Sequence, residues 1–212
     1  MVYQTMTREE VGQLAVRKYE GTICLVASAQ DLKRALHVIR REQVVGLDTE
    51  TKPTFRKGQF NLPCLVQIAT ASVAYLFQLK RMEFSDALTE VLENPAIIKA
   101  GIGLADDFLN LKKVFPFKPQ NIIDLSLVAK QQGIKQSGLR SLAGQLLGFR
   151  ITKGSSTSNW ASHRLTLKQI VYAATDAWVC RELFLRFQQL GFLDLKGRPL
   201  SKMTGERKGN IE

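Results

Sequence analysis

Cysteine is scarce in this chain of 212 residues, and the three present, Cys24, Cys64 and Cys180, lie far apart with no CxxC or Cys/His ligand spacing. That excludes a disulfide framework and a structural zinc site, so all three are expected as small buried apolar residues. Long hydrophobic runs are missing too. No stretch approaches the roughly 18 to 20 apolar residues that cross a bilayer, and the N-terminal MVYQTMTREEVGQ lacks the basic-then-apolar pattern of a signal segment. A cytoplasmic protein with no membrane association is expected. Glycine (15) and proline (6) are not in excess while 45% of the chain is hydrophobic, which excludes the disordered and fibrous classes. Internal repeats and long linkers are absent, and the length suits one domain with a sizeable core.

Acidic residues are few in a pattern that carries information. There are 19 against 30 Lys and Arg, a formal net charge of +11, which favours a polyanionic partner. From Leu125 to Thr175 there is no Asp or Glu, while Lys130, Lys135, Arg140, Arg150, Lys153, Arg164 and Lys168 all occur. Thr51 to Met82 is also free of acids and carries Lys52, Arg56, Lys57, Lys80 and Arg81. Most single lysines are solvated surface charges, but two acid-free stretches flanking isolated carboxylates would draw phosphate toward them.

Strand and helix signals alternate along the chain. Residues 22–27 read as a strand, and 31–41 place Leu32, Ala35, Leu36 and Ile39 at helical spacing. Three strands in a row, 43–50, 64–70 and 73–79, imply an antiparallel meander. Further on, 84–92 read as a helix ended by Asn94-Pro95, 97–100 as a short buried strand, 104–113 as a helix, and 121–124 as another strand. The rest is helical: 125–132, 138–147, and a long helix from about 166 to 190, with Thr166 and Gln169 as a capping box and Gly191 as its C-cap. This order predicts an α/β fold with a central mixed sheet covered by helices over residues 1–193. Residues 194–212, polar and basic, are expected to form a flexible tail.

The segment VVGLDTETKP sets two carboxylates two residues apart at the end of an apolar run. In a strand, Asp48 and Glu50 then project from one face. An isolated Asp at a strand end is commonly a turn or cap residue. A pair on one face raises each other's pKa unless a cation neutralises them, and a divalent metal is the natural cation. Asp107, in KAGIGLADDFLNL, stands where a strand ends and a helix begins. Asp176, in VYAATDAWVC, stands among alanines in the long helix, a poor place for an unpaired charge. Tyr172, four residues earlier, lies on the same side of that helix.

Taken together, Asp48, Glu50, Asp107, Asp176 and Tyr172 resemble the DEDDy subgroup of the DnaQ-like 3′–5′ exonucleases, through LDTE (47–50), GIGLADD (101–107) and YAATD (172–176) in the family's order. LRSLAGQLLGF (139–149), SNW (158–160) and LTLKQIVYAATDA (165–177) are similar to the Werner and ribonuclease D-like branch. The likeness covers roughly residues 22–192. The sister subgroup places a His five residues before the last Asp, where this chain has Val171.

The resemblance implies a ribonuclease H-like sheet of five to six strands, in a stand-alone nuclease domain. It also implies hydrolysis of nucleic acid from a free 3′ end with two divalent cations, Mg²⁺ or Mn²⁺. Asp48 would bridge both ions. Glu50 and Asp176 would hold the ion that carries the attacking water, Asp107 would contribute to the other partly through water, and Tyr172 would orient the nucleophile. Expected strand contacts are Lys52, Arg56, Lys57 and Phe60 after the first motif. Arg164 and Lys168 near the last helix, and Trp160 as a base-stacking ring, join them, although a Trp anchoring a loop on the core is the commoner case. The Werner-like motifs lean toward DNA over RNA. A dinucleotide-binding turn at Gly101-Ile102-Gly103 is disfavoured, because Asp106 replaces its third glycine. The alternative to an enzyme is an inactive nucleic-acid-binding module on the same fold. Retention of all four carboxylates, which repel phosphate when no metal is bound, argues against it.

Overall fold

The computed structural model of the chain describes residues 6–54, 58, 60–80, 83–155 and 157–200. Arg56 and Lys57, expected as strand contacts, lie outside the described residues, as does the tail from residue 201. In chain order the elements are α1 (Arg8–Gln13), β1 (Thr22–Val26), α2 (Ala29–Ile39), β2 (Val44–Thr51), β3 (Pro63–Ala69), β4 (Val73–Gln78), α3 (Ser85–Glu93) and β5 (Ile98–Gly101). Then follow α4 (Leu104–Leu111), β6 (Ile122–Asp124), α5 (Leu125–Gln131), α6 (Leu139–Leu142), a π-helical turn (Ala143–Leu147) and α7 (Leu167–Gln189).

One six-stranded sheet runs β1-β4-β3-β2-β5-β6. The meander β2-β3-β4 is antiparallel, as the three consecutive strand patterns predict, and β1, β5 and β6 join it in parallel. Side chains alternate across each strand, so the sheet buries two faces. Val45, Leu47, Val66 and Ile68 pack against residues of α2, α3 and α4. The other face meets α7, which lies across β2 and β3. Beyond it Leu183, Phe184 and Phe187 of α7 join residues of α5, α6 and the π turn in a second apolar cluster. Among the described residues no helix is long and apolar enough to cross a membrane.

Helix α7 owes its start to local chemistry. Thr166 Oγ1 accepts from the Gln169 amide at 3.2 Å while Gln169 Oε1 accepts from the Thr166 amide at 2.9 Å, so the capping box satisfies two otherwise orphaned donors. It ends at Gly191, whose φ of +71° is the left-handed turn that favours glycine.

Three features depart from the sequence expectations. Helix α1 is not among the expected elements, although Thr7 and Glu10 form a complete capping box ahead of it. The single helix expected over 138–147 is broken into α6 and the π turn. Residues 194–200, expected as the start of the tail, are folded back: Asp194 Oδ1 accepts from the amides of Lys196 and Arg198 at 2.9 and 2.8 Å, and Leu193 bridges Pro199. A short carboxylate that captures its own downstream amides gives this turn a local stability that its polar composition conceals.

Candidate active site

Gly46, Asp48 and Glu50 alternate along β2 onto the face that α7 covers. Gly46 is the point of closest approach, since a Cβ there would overlap the Ala177 carbonyl oxygen and crowd the Arg181 amide. That contact brings the α7 backbone at residue 177 against the strand, and the side chain one residue earlier, Asp176, reaches the carboxylates of β2. Oxygens of Asp48, Glu50 and Asp176 lie within 4.8 Å of one another.

Such a cluster is electrostatically expensive without a cation. Burial, reinforced by the neighbouring carboxylates, raises the Asp48 carboxyl well above its ordinary range. Burial and the charges of Asp176 and Asp107 push Glu50 up to about 9. Asp176 is raised by burial, with the Tyr172 hydroxyl and the Arg140 guanidinium acting in the opposite sense. Beside Asp48, its register partner Gln67 on β3 is fully buried, and neither polar atom of its amide has a hydrogen-bond partner among the described residues. A buried, all-oxygen, mutually repelling donor set fits a divalent cation.

Asp107 stands beside this triad and outside its tightest grouping. It occupies the first turn of α4, which begins at Gly103 with φ of +73°. The Thr49 hydroxyl donates to Asp107 Oδ1 at 2.9 Å and partly offsets the burial that raises its carboxyl to about 6. Thr49 points from the face of β2 opposite to Asp48 and Glu50, toward the α4 side, so the fourth acid enters from the other helical layer.

Tyr172 stands one turn before Asp176, and its hydroxyl and that carboxylate interact electrostatically. Burial first, and the nearby acids second, hold its hydroxyl above the ordinary phenol range, so it stays protonated and donates. Its ring packs 5.9 Å, centroid to centroid, from Trp160. Trp160 is only 1% exposed, within a cluster formed with Leu65, Leu76 and Ala173. This corrects the base-stacking expectation: the ring has no free face, and it anchors the loop before α7 while buttressing Tyr172.

The remaining expected contacts are scattered. Lys168 is exposed and shares a cavity with Tyr172 and Asp176. Lys52 and Phe60, the latter 92% exposed, line a separate hollow with Leu62 and Lys80 beside the β2–β3 loop. Arg164 is exposed and lines neither of the two cavities at Tyr172. Sequence reasoning missed Gly46, Thr49 and Gln67. Only their positions, two and one residues from a carboxylate in sequence and opposite one in register, could have pointed to them.

A family model described as 3′–5′ exonuclease matches residues 23–191. The chain is 32% identical to the bifunctional 3′–5′ exonuclease/ATP-dependent helicase WRN of Mus musculus, across 83% of this chain and 13% of that protein. It is 28% identical to ribonuclease D of Haemophilus influenzae, across 72% of this chain and 38% of that protein. It therefore spans well under half the length of either relative. The crystal structure of the Aedes aegypti Nibbler EXO domain has the same fold, with a TM-score of 0.72 at 24% identity over 82% of this chain and 91% of that one.

Proposed function

Because the chain belongs to the DnaQ-like 3′–5′ exonuclease family, a family of hydrolases, we propose that it removes nucleotides one at a time from the 3′ end of a nucleic-acid strand, with DNA favoured over RNA. The observation that carries this reading is the convergence of Asp48, Glu50 and Asp176 within 4.8 Å in a largely buried site, with Tyr172 and Asp107 beside them. The lean toward DNA rests on the likeness of its motifs to the Werner branch.

Asp48, Glu50, Asp107 and Asp176 would hold two Mg²⁺ or Mn²⁺ ions, which when bound stabilise charge on the attacking and leaving oxygens and lower the pKa of water. The chain's own residues prepare that site. Burial excludes competing solvent from the carboxylates and strengthens every charge interaction among them. Tyr172, kept protonated, is a hydrogen-bond donor that orients the attacking water and fixes Asp176; it is not the base. Thr49 holds Asp107 in place across the strand. Lys52, Phe60 and Lys168 are proposed as strand contacts outside this centre.

The test is a time course on 5′-labelled single-stranded DNA, recessed-3′ duplex and RNA of matched sequence, with Mn²⁺, Mg²⁺ or EDTA, alongside Asp48→Ala. A ladder that shortens from the 3′ end, needs metal and disappears in the variant is the expected result, and the fastest substrate identifies the class. Strands that are retarded yet stay intact under every condition would make the chain a binding module and end the exonuclease reading.

A further inference from the structure

Leu65, Gln67 and Ala69 alternate onto the face of β3 that α7 covers, opposite Glu50, Asp48 and Gly46 of β2, while Val66 and Ile68 take the other face. Of the three, Gln67 alone is polar. Its Cα partner on the far side, in β4, is Leu76, and Leu65 and Leu76 pack with Ala173 of α7. Asp48 is therefore the polar one of the two residues directly beside Gln67. Antiparallel partners on one face hold their Cβ atoms about 4.5 to 5.5 Å apart, a gap that the side chains of Gln and Asp can span between them.

Gln67 is 0% exposed, and neither Nε2 nor Oε1 has a hydrogen-bond partner among the described residues. Buried amides are rarely left in this way, because they give up their hydrogen bonds to water. A leucine would fill the space between Leu65, Ala69 and Leu76 without that cost. Gln78 shows the ordinary arrangement. It stands on β4 beside Leu65, is also buried, and its Nε2 donates to the Ser162 carbonyl at 3.1 Å.

Asp48 offers what the Gln67 amide lacks. A carboxylate presents about four acceptor positions, and the ones that face away from a cation need donors to fix its orientation. Thr49 supplies such a donor to Asp107, whereas among the described residues no side chain donates to Asp48. An uncharged donor suits the place, since Lys or Arg would compete with a cation and Glu would add a fourth negative charge to Asp48, Glu50 and Asp176.

We infer that Gln67 is the positioning residue for Asp48: when the cluster holds a divalent cation, Gln67 Nε2 donates to the Asp48 carboxylate and fixes its orientation. The inference rests on the reading of Asp48 as a cation-holding carboxylate, and adds to it a residue that lies outside the three acidic motifs.

Mn²⁺ is titrated calorimetrically into the EDTA-stripped full-length chain, into Gln67→Met and into Gln78→Met, and each is melted in EDTA. Gln67→Met keeps the length and removes both polar atoms. Its Kd for Mn²⁺ should rise about 10- to 100-fold, while its Tm in EDTA stays level or rises, because no hydrogen bond is lost. Gln78→Met breaks a bond and should show the opposite pair: a lower Tm, with Mn²⁺ affinity within about twofold of the unaltered chain. A second measurement needs no variant. In the ¹⁵N-labelled chain, the side-chain amide signal of Gln67, assigned through its own backbone, should move as Mg²⁺ saturates the site, and that of Gln78 should stay in place. Unchanged Mn²⁺ affinity in Gln67→Met, or a Gln67 amide signal that Mg²⁺ leaves in place, would overturn the inference and leave the exonuclease reading standing. No Mn²⁺ binding by the unaltered chain would end the inference and the metal reading together. Weakened Mn²⁺ binding by Gln67→Met, in a chain that shortens no strand, would retire the exonuclease reading and keep the link between Gln67 and Asp48.

Discussion

The hydroxyl of Thr49 donates to Asp107 Oδ1 at 2.9 Å, so the residue between the two acids of β2 positions a third acid 58 positions along the chain. Thr49→Val keeps the shape and removes the donor. With its orienting partner gone, Asp107 should lose hold of its position, and activity should fall about 10- to 100-fold, the usual cost of removing an outer hydrogen bond to a metal-binding carboxylate. The metal concentration for half-maximal rate should rise, and Thr49→Ser should restore both. Equal rates for Thr49→Val and the unaltered chain across a metal titration would rule the tether out.

Tyr172→Phe leaves the ring against Trp160 and removes only the hydroxyl that faces Asp176. The turnover rate should drop about 10- to 100-fold, as expected when a positioned nucleophile is loosened, while KM for the strand stays within about twofold. Because the phenol is held protonated, the acid and alkaline limbs of the rate profile between pH 6 and 10 should keep their positions in the variant. A lost alkaline limb would instead mark Tyr172 as a titrating group.

Asp176→Asn should act in opposite directions on stability and function. Replacing Asp176 with a neutral amide removes a buried charge and the repulsion it exerts on Asp48 and Glu50. The metal-free chain should therefore melt a few degrees higher, the equivalent of about 1 kcal/mol at this size. The same change should abolish strand shortening by about a thousandfold or more. Mn²⁺ at about 100 times its Kd stabilises a native state by about 2.7 kcal/mol, and that upward shift in Tm should be present in the unaltered chain and absent from the variant. Scanning calorimetry in EDTA and in Mn²⁺ reads both effects, and a lower Tm for the variant in EDTA would contradict the repulsion argument.

Local and short-period features of this site were legible in the sequence. Period two put Asp48 and Glu50 on one face, a one-turn spacing joined Tyr172 to Asp176, and Thr166 with Gln169 marked the start of α7. What stayed hidden depends on contacts between distant segments. Nothing around Thr49 announces Asp107, and nothing around Gly46 announces Ala177. Trp160 has the same composition whether its ring faces a strand or the core, and only packing decides it. Helix α1 carries a complete cap but spans six residues, too few to stand out by periodicity; its stability comes from resting on Gly144.

Gly46→Ala should damage the fold and the site together. The added methyl meets backbone atoms of α7, which cannot rotate away as a side chain can, so either β2 or α7 must shift. Overpacking of this kind costs about 1 to 3 kcal/mol and more when backbone is the obstacle, lowering Tm by roughly 5 °C or more. Any chain that does fold should have Asp176 displaced from Asp48 and should bind Mn²⁺ more weakly, which calorimetric titration measures. Full stability with unchanged Mn²⁺ affinity would show that the contact at Gly46 does not set the spacing of the cluster.

Lys99 offers a test of buried charge away from the carboxylates. It is fully buried on β5, with Nζ donating to the Asn94 carbonyl at 2.7 Å, and burial lowers its pKa to about 8 from an ordinary 10.5. Between those values the unfolded chain binds more protons than the folded one, so this group makes stability rise with pH from about 8 to about 10.5. Below about 8 both states are protonated and the full cost of burying the ammonium remains. Lys99→Met keeps the length and removes the charge. The Asn94 carbonyl retains the Ile97 amide, at 3.4 Å, as a donor. The variant should gain on the order of 1 kcal/mol at pH 7, and that gain should shrink as pH climbs toward 10.5. Because other groups titrate alike in both chains, the difference between their denaturation curves at pH 7, 8.5 and 10 isolates Lys99. A difference that stays constant over that range, or that favours the unaltered chain at pH 7, would mean that the ammonium is better solvated in the folded chain than its burial implies.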